Sequence, residues 1–169
     1  KNLDFKMLEY IYSEHRRQKK FIEHCLFIAD VYFYLYSQKE ESEDLKFFTK
    51  IDLVGYEYFP QPLPDAFISV MRQRKTRRYF LDLFDESTPP FVMRRRVKNY
   101  FDYVEKSNWD ENTDNTDFPS ILLICPNESI QKHIYLYAQA LLEKTYEDKI
   151  KKLDGDLKLS SVKLKNMEQ

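Results

Sequence analysis

Apolar positions recur at helical spacing near the start of the chain, and residues 3–36 read as helical. Phe21, Cys25, Ile28, Ala29, Tyr32 and Tyr36 fall on one stripe. Ile22 and Phe33 widen that stripe, which predicts a well-buried helix. Ahead of it lies a shorter amphipathic piece with Leu3, Met7, Leu8 and Ile11, and the basic stretch 15–20 between them reads as a solvated helix start. Residues 39–44 are polar and acidic, hence a loop. Residues 45–51 and 56–59 have strand composition, and Pro60, Pro62 and Pro64 interrupt the pattern. Residues 66–71 and 79–84 predict an antiparallel hairpin joined by a basic turn over 72–78. Pro89 and Pro90 suit a helix start, with Met93, Val97, Tyr100, Phe101 and Val104 on one face of a helix running to about residue 106. The polar run 107–117 predicts a loop or locally disordered insert. Residues 119–125 are continuously apolar, as in a strand buried on both faces. Pro126 and Asn127 open a helix with Ile130, Ile134, Tyr137, Ala138 and Leu141 in register. The last 25 or so residues alternate lysine with acid and read as a frayed helix or tail. Helix, strands, hairpin, helix, strand, helix is the order of an α/β domain with helices packed on a mixed sheet.

Composition narrows the chemistry. The 169 residues fit one domain, and 13 Tyr with 13 Phe can build its core. Only two glycines occur, Gly55 and Gly155, so neither a phosphate-cradling glycine loop nor a nucleophile elbow can be written. Cys25 and Cys125 lie too far apart for a zinc motif, and His24 beside Cys25 on a helix points elsewhere. With no signal peptide they read as thiols of a cytoplasmic protein. The longest apolar runs are too short to cross a membrane. The chain begins at Lys1 rather than Met, which fits a domain excised from something longer.

Charge changes the picture locally. The formal net charge is −1, yet residues 72–98 hold nine basic side chains against three acidic ones, +6 in all. The compensating acids concentrate in the loops 40–44 and 102–117. Such separation suits a face that binds a polyanion, because each phosphate contact releases counterions; a solvated turn and helix face is the plainer alternative. Asp82 interrupts an apolar strand on the face shared with Phe80 and Phe84. A carboxylate there needs a partner or a cation. Asp65 begins the preceding strand, and the two together could hold a Mg²⁺ ion that activates water against a phosphodiester. Alternatively Asp65 caps its strand and Asp82 forms a salt bridge with Arg78 or Arg96.

The run Pro64-Asp65-Ala66, followed by Tyr79-Phe80-Leu81-Asp82-Leu83-Phe84-Asp85-Glu86-Ser87-Thr88, resembles the "PDA … FFLE-x-D-x-x-T" pattern of the replication-relaxation family. The likeness continues through Lys98-Asn99-Tyr100-Phe101-Asp102-Tyr103 and Phe118-Pro119-Ser120-Ile121-Leu122-Leu123-Ile124-Cys125. It covers residues 59–142, about half the chain. The family is similar in fold to PD-(D/E)xK nucleases and is associated with replication and conjugative transfer of plasmids and mobile elements. The resemblance therefore implies a restriction-endonuclease-like α/β core over 39–144. Residues 1–38 would be a helical segment packed on that core, possible remnant of a winged-helix region, and 145–169 a charged tail or helix.

Residue by residue, Asp65 matches the first acid of the nuclease motif and Asp82 the second, with Phe84 where a lysine belongs. If Asp85 and Thr88 are matched to D-x-x-T instead, Leu83 falls at the acid. Lys98 or Arg96 from the next helix would have to stand in for the lysine, and Glu23 matches a third acid of some related nucleases. The implied catalytic set is Asp65, Asp82 and Lys98, with Asp65 and Asp82 as ligands of Mg or Mn. The implied DNA-binding set is Arg72, Arg74, Lys75, Arg77, Arg78, Arg94, Arg95 and Arg96. The function expected is DNA binding, with relaxase or replication proteins as further partners. A Mg/Mn-dependent endonuclease and a catalytically dead protein-interaction module are the alternatives.

Overall fold

A computed structural model describes residues 19–106, 108–113, 116–149 and 159–160. The expected amphipathic piece at 3–12 and most of the charged tail lie outside them. The elements are α1 (Lys19–Gln38), β1 (Asp44–Thr49), α2 (Lys50–Leu53), β2 (Ala66–Arg72), β3 (Lys75–Leu83), α3 (Pro90–Glu105), α4 (Asn108–Asn112), β4 (Ser120–Ile124), α5 (Glu128–Lys149) and β5 (Leu159–Ser160). The strands are ordered β1-β2-β3-β4 in a mixed sheet flanked by helices, with the two-residue β5 parallel to β4. The chain divides into two compact units, Lys1–Leu81 and Asp82–Gln169.

The first unit is an antiparallel meander. β1 pairs β2 from Asp44↔Met71 to Thr49↔Ala66, and β2 pairs β3 from Arg72↔Lys75 to Ala66↔Leu81. Because side chains alternate, Phe47 and Phe48 face opposite ways. Phe47 meets Tyr32 of α1 edge-on, with ring centroids 5.4 Å apart. Phe48 lines up across the strands with Phe67 and Phe80, and Phe59 closes over that row. The Asp52 carboxylate accepts from Thr49 N at 2.8 Å and Thr49 Oγ1 at 2.9 Å, turning the chain out of β1 into α2.

Residues 56–59 are turns, not the strand their composition predicted. Gly55 precedes them at φ +104, in the left-handed region that glycine tolerates, and the prolines follow. Their aromatic rings pack on one another instead, Tyr58 on Phe59 at 4.9 Å. The burial expected of α1 is also corrected: among its described residues Val31 is the buried one.

In the second unit the chain leaves β3, and Phe84 N donates to Ile124 O at 2.8 Å. Pro89 and Pro90 start α3 as expected. Its buried stripe runs Met93, Arg96, Val97, Tyr100, Phe101 and Tyr103, and α3 packs against α5. Residues 121–124 of β4 are all buried. Asn127 Oδ1 accepts from Ile130 N at 3.0 Å, capping α5. Residues 108–113 are more ordered than their polarity predicted: they carry α4, whose Trp109 is 4% exposed and donates Nε1–H to Thr116 O at 2.8 Å. Composition had hidden one large apolar anchor among the acids.

Candidate nucleic-acid interface

The β2–β3 hairpin turns in two residues. Gln73 and Arg74 both have positive φ, 49° and 65°, the conformation of a type I′ turn. The basic turn expected over 72–78 is therefore only its tip, and residues 75–78 belong to β3. Such turns favour Asn-Gly. A side chain held left-handed costs roughly 1–2 kcal/mol, so an arginine at the tip is a local expense that the turn itself does not require.

Around that tip Arg74, Lys75 and Arg77 are exposed and Arg78 is half-buried. None of the four makes an ion pair among the described residues. Arg72 differs: its guanidinium lies 2.8 Å from Glu40 Oε1 and 3.7 Å from Glu43 Oε1. The acidic loop that looked separate in sequence thus sits beside the hairpin and neutralises one of its arginines.

The basic positions of α3 separate similarly. Arg95 is exposed and Arg94 half-buried, with Arg94 Nη1 3.3 Å from His133 Nε2 of α5. Lys98 Nζ donates to both oxygens of Asp102, at 2.8 and 2.7 Å, one helical turn on. That hydrogen bond raises the Lys98 pKa above the usual lysine value. A lysine held protonated is a poor activator of water. Arg96 is 8% exposed and faces inward.

Its partner is Asp82, 4% exposed. Arg96 Nε donates to Asp82 Oδ2 at 2.7 Å and Tyr100 Oη donates to the same oxygen at 2.5 Å. Arg96 Nη2 reaches Tyr100 Oη at 3.1 Å, closing a triangle. Arg96 and Tyr100 lie four apart on α3, so one helix face supplies both donors. The salt-bridge alternative for Asp82, with Arg96 rather than Arg78, is the geometry present.

Asp65, also 4% exposed, is engaged in its own unit. Its Oδ1 accepts from Lys50 Nζ at 2.5 Å and lies 3.1 Å from His24 Nε2, while its backbone N–H donates to Leu81 O at 2.8 Å. Neither Lys50 nor His24 was among the expected site residues; Lys50, which opens α2, was read as part of a strand over 45–51 that in fact ends at Thr49. The pair Asp85 and Thr88 makes a local turn. Asp85 Oδ1 accepts from Ser87 N, Ser87 Oγ and Thr88 Oγ1, at 2.8, 2.7 and 3.0 Å. The Ser87 hydroxyl chiefly, with the other donors, holds the Asp85 pKa below the usual carboxylate value. D-x-x-T spacing here is a hydrogen-bonded turn.

Among the described residues no group of three or more His, Cys, Asp or Glu side chains gathers to hold a metal ion, and no helix is long and apolar enough to cross a membrane. Burial raises the Cys125 thiol pKa, which disfavours a reactive thiolate. Comparison with known protein families, curated proteins and solved structures finds no match to this chain.

Proposed function

We propose that this chain binds DNA through the β2–β3 hairpin, on a restriction-endonuclease-like core. The observation that carries the reading is the cluster Arg74, Lys75 and Arg77, exposed and without acidic partners among the described residues, at and beside a two-residue turn. A two-stranded ribbon of this kind can enter a major groove or lie along a backbone. Arg94 and Arg95 form a second cationic surface in the other unit. The resemblance in residues 59–142 supports plasmid or mobile-element DNA as the context, in replication or conjugative transfer, with relaxase or replication proteins as partners. Cleavage is the less favoured reading, because Asp82 and Asp65 are each held by a basic side chain of their own unit.

Fluorescence anisotropy with labelled duplex and single-stranded DNA tests the proposal. Log K should fall linearly with log salt, with a slope of about −3 to −5 for four to six phosphate contacts. Replacing Arg74, Lys75 and Arg77 together by alanine should weaken binding about 10- to 100-fold and reduce the slope by about 2–3. A near-zero slope in the wild-type protein sinks the idea.

Arg74→Gly separates the turn from the contact. Glycine relieves the left-handed strain, so stability should rise by about 0.5 kcal/mol, seen in urea denaturation. DNA affinity should fall in the same variant. Unchanged affinity beside raised stability would remove Arg74 from the interface.

A further inference from the structure

Helix α1 carries apolar side chains both on the side its own unit covers and on the side opposite. Val31 is 4% exposed, whereas Ile22, Leu26, Phe33 and Tyr36 are 55%, 59%, 65% and 56% exposed. At about 100° per residue these four and Ala29 fall within an arc of about 80°, centred about 180° from Val31. Positions 22, 26, 29, 33 and 36 alternate steps of four and three. That is the spacing of an a/d seam in a two-stranded coiled coil.

We infer that this seam pairs with the same seam of a second copy of the chain, as parallel helices about a two-fold axis. The 4-3 spacing is self-complementary, as an isologous contact requires, and it lets each large side chain insert between those of the facing helix. Half-exposed side chains of this size each offer on the order of 100 Å². Four per copy, with their flanks, bring the pair to about 1,000 Å² of buried surface, the threshold for a specific interface. Charge favours one direction. One flank of the seam carries Asp30 and Glu23, the latter 3.5 Å from Lys19 Nζ, the other Cys25 and Tyr32. Parallel pairing sets the acids against Cys25 and Tyr32 of the other copy, while antiparallel pairing sets acid against acid. No residue of the proposed DNA surface takes part, so this inference stands apart from that reading.

Sedimentation velocity of the full chain over about 1–200 µM should show monomer passing into dimer. The double variant Leu26→Glu/Phe33→Glu should stay monomeric at the highest concentration with unchanged far-UV circular dichroism, both side chains being more than half exposed. In a Cys125→Ala background, a bismaleimide should link Cys25 to Cys25 of the second copy. A wild-type chain that remains monomeric throughout overturns the inference; residues 1–18 or another protein would then be what covers the face. A dimer that survives Leu26→Glu/Phe33→Glu overturns it as well, and a dimer without the Cys25 cross-link overturns the parallel order.

Discussion

Arg96→Ala should destabilise the protein by about 3–5 kcal/mol, the cost of breaking a buried pair by removing one partner. Asp82 would keep its carboxylate at 4% exposure while losing the guanidinium 2.7 Å away. Against a total stability of roughly 5–15 kcal/mol, that is a large fraction. Tyr100→Phe removes one donor to the same oxygen and keeps the ring under the guanidinium, 4.8 Å away; about 1–2 kcal/mol is expected. The double variant Asp82→Leu/Arg96→Met removes both charges and should recover most of the loss, since a well-packed apolar replacement of a buried pair is often neutral or better. Urea denaturation followed through Trp109, the chain's one tryptophan, measures all three. Arg96→Ala costing under about 1 kcal/mol would mean that the carboxylate is not held by this pair.

The same network sets the control for cleavage. Asp82→Ala leaves Arg96 buried without its carboxylate, so a loss of nicking in that variant would report unfolding as readily as chemistry. Asp82→Leu/Arg96→Met is the better control, because it tests metal binding by the carboxylate in a folded protein. Plasmid incubated with Mn²⁺ should stay intact with the wild-type chain if the two aspartates are structural.

Legibility in the sequence followed range. The β2–β3 hairpin, the Pro90 start of α3, the apolar run of β4 and the Asn127 cap of α5 are short-range signals, and each appears where its residues place it. The turn of the hairpin was drawn too wide because Gln73 and Arg74 carry none of the Asn-Gly chemistry that marks a two-residue loop. Aromatic residues at 56–59 have strand composition, but Gly55 at positive φ and the prolines after them leave no ladder to join. Burial of α1 was overestimated because apolar side chains on two sides of a helix do not say which side its own fold covers.

Charge partners were hardest to read. Arg72 meets Glu40 across 32 positions, and Lys50 meets Asp65 across 15. A local sum of +6 counted Arg72, Arg96 and Lys98 as available, and each is engaged by an acid. What survives of the basic stretch is narrower and better defined: the hairpin tip, and Arg94 with Arg95.

Phe80→Ala should cost about 3–5 kcal/mol, the largest single loss expected in the first unit. The ring is fully buried. It lies 5.7 Å from the Phe67 ring and 5.8 Å from that of Phe59, and Phe67 in turn stacks on Phe48 at 6.1 Å. Truncation would open a cavity beside the Phe67 and Phe59 rings, which cannot both close in, because Phe67 is fixed by the strand ladder. Phe80→Leu keeps most of the volume and should cost less than about 1.5 kcal/mol. Urea denaturation followed by far-UV circular dichroism distinguishes them, and equal costs for the two would show that the site does not depend on ring packing. The consequence reaches the hairpin tip. The Phe48–Phe67–Phe80 row pins the register in which Lys75 and Arg77 are exposed together, and a slip of one residue would turn both to the other face. Phe80→Ala should therefore weaken DNA binding only in proportion to the unfolded fraction, whereas Phe80→Leu should leave affinity unchanged. Weaker binding by a fully folded Phe80→Leu would mean that the row tunes how the basic strand is presented, and that packing and recognition are coupled along β3.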